Sequence, residues 1–377
     1  MINEKRLINN FMDLVKIDSV SRDEAGVANY LVDKLKKIGL EVDLDNAGEF
    51  ANSNTGNIIA HLKGNIKKVP VILFSAHMDT VSPGKNIKPI NKNGKIYSSG
   101  DTILGADDKA GIAIILEMLQ FIKDSNIPSG DIEVVFTICE ETGLIGVKHL
   151  DISRLEAKMG FILDSEGDAG EIITSAPFHN GIELTFLGKA AHSGANPENG
   201  INAIQVSGFA LSRMHLGRID KETTANIGII SGGKACNIVP DEVILKGEVR
   251  SRNERKLEQQ TAQLKRICQN TAKEFKAKVK IKITREYDGY HLSEQDQIIR
   301  TTLKAAKNIK INTIFAASGG GSDANVLNKK GLTSVNLGIG MKKVHTVDEY
   351  ILIENLKQSV EYMLSLVKTV SSGEINE

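Results

Sequence analysis

The sequence predicts an α/β fold in which a large domain with a mostly parallel sheet, flanked by helices, carries an inserted α+β, ferredoxin-like domain. Three observations predict this fold. Buried apolar runs alternate with helical segments in the first part of the chain, the pattern changes near Ala176, and the alternation returns after residue 290. Strands that alternate with helices favour a parallel sheet that is covered on both faces.

The first part of the chain begins with two predicted helices. Residues 1–17 alternate charged and apolar positions, as an amphipathic helix does, and they lack the unbroken apolar core of a signal peptide. Ser21 and Glu24 have capping-box spacing ahead of the second helix. Continuous apolar runs then predict strands that are buried on both faces, with one packed helix between them. The strands are predicted at 69–76, 131–138 and 159–163, and the helix at 109–121.

The middle of the chain predicts a smaller domain over residues 178–290. Strands at 182–187, 223–230, 242–250 and 279–285 and helices at 202–214 and 255–275 follow one another in the order β-α-β-β-α-β, which is the split βαβ unit of ferredoxin-like folds. The larger domain is therefore discontinuous and consists of residues 1–177 and 291–377. It resumes with a helix at 297–307, a glycine-rich turn at 318–322 and a strand at 333–338.

The composition excludes several classes of function. Lys plus Arg and Asp plus Glu both number 47, so the net charge is zero and nothing favours nucleic acid or an anionic membrane as a partner. No apolar stretch is long enough to span a bilayer. The three cysteines are an odd number with no close pair, which argues against a disulfide framework and predicts a cytoplasmic protein.

Polar side chains cluster where the predicted strands end, and they suggest a metal site. Ligands of open α/β sheets bind outside the carboxyl ends of the strands, so residues from distant segments can converge there. Zinc takes imidazole nitrogen and carboxylate oxygen at ~2.0–2.2 Å. Two metal ions ~3.5–4 Å apart need a shared ligand, and a carboxylate has two oxygens for that purpose. The candidate residues are His77, Asp79, Asp107, Glu140, Glu141, Asp164 and His345.

Each of these motifs also has a simpler interpretation. An Asp-Asp pair before a helix is usually an N-cap that lies at the positive end of the helix dipole, and a Glu-Glu pair is usually a solvated turn. However, Asp107, Glu140 and Glu141 adjoin segments that are predicted to be buried, where an unpaired carboxylate is costly. Their joint occurrence at strand ends therefore favours the metal site.

These segments resemble those of the dinuclear zinc peptidase family M20, which includes tripeptidase T, aminoacylase and succinyl-diaminopimelate desuccinylase. The resemblance covers nearly the whole chain, because the inserted domain stands where the family has its lid. Residues 104–111, LGADDKAG, are most similar to the tripeptidase T branch. The resemblance implies hydrolysis of an amide bond, although these motifs are only weakly specific for the substrate.

The resemblance also implies a role for each residue at the strand ends. His77 and Asp164 would bind one metal ion, Glu141 and His345 the other, and Asp107 both, with a cis peptide bond after Asp107. Asp79 would orient the imidazole of His77, and Glu140 would act as the general base and then as the acid towards the leaving amine.

The resemblance extends to the predicted lid. His192 would reach the developing oxyanion of the substrate, and Asn237 and Arg250 would hold the substrate. An arginine can bind a carboxylate through two hydrogen bonds, but a salt bridge on a sheet face is the alternative for Arg250. Relatives pair two lids in a homodimer, so the histidine is expected to serve the partner's active site.

The glycine-rich segment at 318–323 has two interpretations. Gly319-x-Gly321-x-x-Ala324 fits a dinucleotide fingerprint by letter, but no acidic residue follows at the end of a second strand. The resemblance instead implies a tight turn, including Gly320, that brings backbone N–H groups to the substrate.

The sequence therefore predicts an exopeptidase with two divalent metal ions, most simply Zn²⁺, that acts on short peptides, above all tripeptides with a free N-terminus. An N-acyl amino acid deacylase or a carboxypeptidase would use the same metal ligands, because each cleaves an amide. A peptide-binding protein without activity is a rival of a different class. The presence of Glu140 and of all five ligand positions argues against that rival.

Overall fold

The computed structural model of the chain describes residues 2–373. It divides into two compact units. The first unit comprises Met1–Thr174, His291–Ala317 and Ser322–Glu377, and the second comprises Ser175–Tyr290 and Ser318–Gly321. The sequence placed the inserted domain at 178–290, so the second unit begins close to that prediction and also takes in the glycine-rich turn.

The helices of the described residues include one that is buried along most of its length. In α4 (Ala106–Asp124), apolar side chains face all directions, as expected for a helix enclosed by other elements. No helix within residues 2–373 has both the length and the apolar character that crossing a membrane requires. The α-helices are α1 (Glu4–Lys16), α2 (Ala25–Ile38), α3 (Ala47–Ala51), α4 (Ala106–Asp124), α5 (Ile145–His149), α6 (Ala203–Arg213), α7 (Glu254–Glu274), α8 (Gln297–Asn308), α9 (Asp323–Lys330) and α10 (Ile353–Ser371).

The strands of the described residues form three sheets. They are β1 (Glu41–Leu44), β2 (Ile58–Leu62), β3 (Ile72–His77), β4 (Pro89–Lys92), β5 (Lys95–Ser98), β6 (Ile132–Thr137), β7 (Met159–Ser165), β8 (Glu171–Ala176), β9 (Phe178–Leu187), β10 (Gly217–Arg218), β11 (Thr223–Gly232), β12 (Glu242–Ser251), β13 (Lys278–Tyr287), β14 (Tyr290–His291), β15 (Ile314–Ala317), β16 (Thr333–Gly338), β17 (Met341–Lys342) and β18 (Tyr350–Leu352).

The large sheet of the first unit has the strand order β1-β2-β6-β3-β7-β16-β8-β14, with β15 paired to β8. Its centre, β6-β3-β7-β16, is parallel, whereas β2 runs antiparallel to β1 and β6, and β8 runs antiparallel to β16. Every residue of β3 and β6 is buried, as the continuous apolar runs predict for strands covered on both faces. The predicted α/β fold with a mainly parallel sheet is confirmed. A smaller sheet, β17-β18-β5-β4, belongs to the same unit.

The predicted capping box at Ser21 and Glu24 is wrong. Helix α2 begins at Ala25, and its N-cap residue Glu24 makes no capping hydrogen bond. Instead, the buried Glu24 carboxylate accepts hydrogen bonds from the backbone N–H of Cys139 and from Ser53 Oγ. The Ser21 hydroxyl donates to Asp79. Both side chains therefore bind residues that are remote in sequence, and although Glu24 also accepts the N–H of Arg22 at 2.9 Å, the predicted pair of Ser21 and Glu24 does not form.

The second unit consists of one antiparallel sheet with two helices packed on it. Its strand order is β10-β11-β12-β9-β13, and α6 and α7 both contact β9 and β12. The succession β9-α6-β11-β12-α7-β13 matches the predicted split βαβ order. Buried apolar side chains of the sheet and helices form its core, among them Leu184, Phe186, Val243, Leu245 and Leu264.

Candidate metal centre

The parallel register of the first unit brings the carboxyl ends of three strands to one edge of the sheet. His77 ends β3 and lies opposite Thr137, which ends β6. Asp164 lies near the end of β7, which pairs with β3 on its other side. The turn that follows β6 carries Glu140 and Glu141. The sheet topology therefore places side chains from three separate segments at one edge, where open α/β sheets bind ligands.

The carboxylate of Asp107 lies between two imidazoles. Its Oδ1 is 2.9 Å from His77 Nε2, and its Oδ2 is 3.1 Å from His345 Nε2. Burial raises the pKa of this carboxyl, but the hydrogen bonds to His345 and His77 outweigh it, and the net pKa is lowered. The Asp107–Asp108 peptide bond is cis, as the resemblance implies.

Two further carboxylates flank this arrangement. Asp164 Oδ1 lies 3.9 Å from His77 Nε2, and Glu141 Oε1 lies 2.8 Å from His345 Nε2. The possible ligand atoms of His77, Asp107 and Asp164 all lie within 4.8 Å of one another, and so do those of Asp107, Glu141 and His345. Two sets of three residues therefore share Asp107, and each set offers the imidazole nitrogen and carboxylate oxygen donors that zinc prefers.

The electrostatics of these residues fit divalent cations. Burial raises the pKa of the Asp164 carboxyl well above its ordinary value, and the neighbouring charge of Asp107 raises it further. Burial also raises the pKa of Glu140, and the nearby Asp164 adds to the shift. The hydrogen bonds to Asp107 and Glu141 raise the pKa of His345 to about 10. The site thus concentrates negative charge that the protein compensates only in part, and divalent ions would neutralise it.

Asp79 has a broader role than the orientation of one imidazole. His77 Nδ1 lies 2.9 Å from the backbone carbonyl oxygen of Asp79 but 3.4 Å from its Oδ1, so the carbonyl is the closer partner of the ring. The Asp79 carboxylate accepts hydrogen bonds from the backbone N–H groups of Glu140, at 2.9 Å, and Glu141, at 3.3 Å. Ser21 Oγ donates to the same carboxylate at 2.6 Å. Asp79 therefore holds both the imidazole and the turn that carries two acidic side chains.

Three residues at this edge of the sheet were not identified from the sequence. Ser21 binds Asp79, Asp323 accepts a hydrogen bond from Thr137 Oγ1 at 2.6 Å, and Glu349 binds the backbone next to Asp107. Asp323 and Glu349 are buried carboxylates, 2% and 1% exposed. Both lie in segments whose chemistry the sequence had already marked, the glycine-rich turn and the His345 segment. Ser21 was noted in the sequence only for its spacing to Glu24, which indicated a helix cap and not a contact with Asp79.

In the second unit, His192 and Asn237 lie on neighbouring segments. His192 pairs with Ile238 through an isolated β-bridge, and the Ser193 N–H donates to the carbonyl oxygen of Asn237 at 3.0 Å. His192 Nδ1 accepts hydrogen bonds from the N–H groups of Gly194 and Ala195, both at 3.1 Å. Because Nδ1 accepts, the proton of the neutral ring is on Nε2, which is then a donor.

Arg250 forms the ion pair that was the alternative to substrate binding. Its Nη2 lies 2.9 Å from Glu248 Oε2, which also lies 3.2 Å from His179 Nε2. The hydrogen bond from His179, with that from Arg250, lowers the pKa of Glu248 to about 2 against the effect of burial. Gly320 is close by, because a Cβ there would lie 3.9 Å from Arg250 Nη1. The Gly320 N–H donates to Ser318 Oγ, so this N–H already has a partner within the turn.

Comparison with known proteins decides the family. Residues 73–369 match the model of peptidase family M20/M25/M40. This chain belongs to that family. The resemblance found in the sequence is thereby confirmed, and the chain is a peptidase.

Two solved structures are similar to this chain over almost its whole length. The aminopeptidase PepT of Bacillus cereus ATCC 10987 is 41% identical, covers 98% of this chain and 99% of its own, and has a TM-score of 0.89. A tripeptidase of Staphylococcus aureus subsp. aureus Mu50 is 39% identical, covers 99% and 100%, and has a TM-score of 0.94.

A more distant structure shares the fold. The YxeP protein of Bacillus subtilis, a dinuclear metal binding peptidase of family M20, is 18% identical, covers 98% of both chains and has a TM-score of 0.74.

The position of Asp107 between the two ligand sets generates a prediction about metal binding. Asp107→Asn should weaken the binding of both ions together, because the amide has no negative charge to share between them. Metal analysis after dialysis against Zn²⁺ measures the effect, with Asp168→Asn as the control, since the Asp168 side chain is 66% exposed. A mutant that still holds two ions per chain would contradict the bridging role.

Proposed function

We propose that this M20 peptidase is a zinc-dependent exopeptidase that removes the N-terminal residue of short peptides, above all tripeptides. The observation that carries the proposal is the Asp107 carboxylate, which has one oxygen beside His77 and the other beside His345. Such an arrangement suits a dinuclear centre better than a single ion, because a carboxylate can bridge two metals. The description of the distant YxeP relative as dinuclear supports the same proposal.

The two ligand sets indicate which residues would bind each ion. His77 and Asp164 would bind one ion, Glu141 and His345 the other, and Asp107 both. Bound zinc lowers the pKa of a water molecule and polarises the carbonyl of the bond to be cleaved. The remaining chemistry is left to side chains of the protein.

Glu140 is proposed as the general base. It takes a proton from the attacking water as the new C–O bond forms, and gives that proton to the leaving nitrogen as the C–N bond breaks. The N–H of Glu140 is held by the Asp79 carboxylate at 2.9 Å, which fixes the backbone from which this side chain extends. Positioning of this kind matters because proton transfer requires the base within hydrogen-bond reach of the water.

The second unit is proposed to act as a lid that binds the substrate. His192 would donate its Nε2–H to the oxyanion, and the two hydrogen bonds to its Nδ1 support this role because they favour the required tautomer. Asn237 lies beside His192 and would hold the peptide backbone. Arg250, with Gly320 next to it, would bind a carboxylate of the substrate if that carboxylate replaced Glu248 as its partner.

The substrate assignment is supported by the relatives. The two similar structures are described as an aminopeptidase and a tripeptidase. An N-acyl amino acid deacylase or a carboxypeptidase could use the same ligands. A cytoplasmic location is part of the proposal, since Cys139, Cys236 and Cys268 are all free thiols and disulfides are rare in a reducing compartment.

Removal of the base tests the proposed mechanism. Glu140→Gln keeps the shape of the side chain but cannot accept the proton, so turnover should fall on the order of 10²–10⁴-fold. Zinc content should stay unchanged, because Glu140 is not a proposed ligand, although its carboxylate lies close to His77 and Glu141. Steady-state rates on a tripeptide, with metal analysis of the same sample, measure both. Activity within a few-fold of the unmodified enzyme would exclude Glu140 as the base.

The end from which a peptide is hydrolysed distinguishes the proposed aminopeptidase from a deacylase or a carboxypeptidase. A free tripeptide should be hydrolysed from its N-terminus, and acetylation of that amine should abolish turnover. Mass spectrometry of the products identifies the bond that is cleaved, and a chelator should stop the reaction. Faster hydrolysis of acetylated amino acids would support the deacylase, and release of the C-terminal residue first would support the carboxypeptidase.

A homodimer through the second unit is also proposed. In β11, only Thr224 and Ala225 pair with β10, so among the described residues the rest of the strand has a partner on one side alone. Ile229 and Ile230 on this free edge are 57% and 58% exposed. Free strand edges tend to pair or to be covered. Pairing of two such edges would join two copies, and His192 would then serve the active site of the partner.

Complementation between two inactive variants tests this arrangement. In a mixed dimer of Glu140→Ala and His192→Ala, one site has both defects and the other has none. Random pairing in a two-fold dimer should restore roughly one quarter of the activity of the unmodified enzyme. Activity is measured after subunit exchange has been verified by native mass spectrometry. A mixture that stays inactive after exchange would contradict action on the partner's site.

A further inference from the structure

Glu349 is a buried acidic residue that the proposed chemistry does not use. Its side chain is 1% exposed, yet its carboxylate does not pair with a Lys or Arg side chain in any ion pair seen among the described residues. Instead, its Oε2 accepts hydrogen bonds from the backbone N–H groups of Leu104 and Gly105, both at 2.7 Å. Its Oε1 accepts a third from the N–H of Asp107 at 3.0 Å.

The segment that Glu349 binds needs such an acceptor. The first N–H groups of a helix have no partner within the helix, and they carry partial positive charge. At the start of α4 the backbone is also irregular, because Gly105 is left-handed with φ 72° and Asp107 has ψ 104° inside the helix. The Glu349 carboxylate therefore accepts the Asp107 N–H, which has no partner within the helix, and also the N–H groups of Leu104 and Gly105, which precede the helix.

Glu349 also belongs to the turn that carries His345. The Glu349 N–H donates to the carbonyl oxygen of Thr346 at 3.1 Å, which closes the turn just after His345. His345 itself has φ 62°, so its backbone is in the left-handed region that few side chains adopt. The carboxylate of Glu349 thus ties the backbone of the His345 turn to that of the Asp107 turn.

We propose that Glu349 is a positioning residue for the dinuclear centre, which holds the Asp107 backbone against the His345 turn so that both ligand sets share one carboxylate. This inference rests on the proposed function, because it requires that the ligand sets bind metal. Asp107 can place one oxygen near each imidazole only while its backbone keeps one position and orientation. Groups that orient metal ligands commonly change metal affinity 10–100-fold when they are replaced.

A neutral residue cannot take over this role. Glutamine has one acceptor oxygen and an NH₂ donor, so at least one of the three backbone N–H groups would face another donor. Aspartate keeps the charge but is one methylene shorter, so it cannot reach all three N–H groups with both oxygens. Glu349→Gln therefore tests the loss of the negative charge, and Glu349→Asp tests the loss of side-chain length.

Glu133 offers a matched control. It is also buried, 5% exposed, and its carboxylate accepts two backbone N–H groups, those of Glu156 and Ala157, at 2.8 and 3.0 Å. It lies near the start of β6, whereas the candidate ligands lie at the other end of the strands. Loss of this carboxylate should destabilise the protein but leave the metal centre intact.

The test compares Co²⁺ binding by the unmodified protein, Glu349→Gln, Glu349→Asp and Glu133→Gln. Isothermal titration gives the affinities, and the visible absorption of bound Co²⁺ reports the geometry of its ligands. Glu349→Gln should lower the affinity about 10–100-fold and change the spectrum, Glu349→Asp should have a smaller effect in the same direction, and Glu133→Gln should bind as the unmodified protein does. Hydrogen exchange of residues 104–107 should quicken in the two Glu349 variants alone.

The possible results distinguish a failure of the proposed metal centre from a failure of the proposed role of Glu349. If the unmodified protein binds no Co²⁺, the proposed dinuclear function fails and this inference fails with it. If the unmodified protein binds two ions and a folded Glu349→Gln binds them with equal affinity and an unchanged spectrum, only the role of Glu349 is overturned. If Glu349→Gln does not fold, Glu349→Asp decides, and unchanged affinity and spectrum in that variant overturn the inference.

Discussion

A carboxylate that is removed from water must find donors inside the protein, because an uncompensated buried charge is costly. At the carboxyl edge of the large sheet, much of that compensation comes from backbone N–H groups of turns. Asp79 accepts those of Glu140 and Glu141, and Glu349 accepts those around Asp107. Each such bond fixes the backbone that presents a candidate ligand, so satisfying the buried charges also determines where the ligands point.

The same constraint explains why acidic residues outnumber the candidate ligands at this edge. Asp79, Asp323 and Glu349 are all buried and are not among the proposed ligands. Apart from the His77 ring, whose Nδ1 lies 3.4 Å from Asp79 Oδ1, their partners are a serine, a threonine and backbone amides rather than lysine or arginine side chains. The buried Lys109 is close in sequence to Asp107, but its Nζ donates to the carbonyl oxygen of Ile17 at 2.7 Å and to none of these carboxylates. Neutral donors hold the carboxylates in place and leave the negative potential of the site available to cations.

The sequence predicted the fold and the candidate ligands because both depend on local patterns. Buried strands such as β3 and β6 are visible in the sequence as continuous apolar runs. The helices of the second unit are visible from the periodicity of their residues. His77 and Glu141 follow such runs at strand ends, and Asp107 stands at the start of a helix, so each is marked by the element beside it. Ser21 and Glu24 were misassigned because their partners, Asp79 and Cys139, are far away in sequence. No local pattern distinguishes such a tertiary hydrogen bond from a helix cap.

The discontinuity of the first unit has a consequence for synthesis. Chains emerge from the ribosome N-terminus first, and units generally fold as they become complete. His77, Asp107 and Asp164 are synthesised before the second unit, whereas His345 and Glu349 are synthesised after residue 290. During translation the early carboxylates therefore lack both the late imidazole and the clamp on the Asp107 backbone. The proposed centre therefore lacks one of its ligand sets until the chain that follows the second unit has been synthesised.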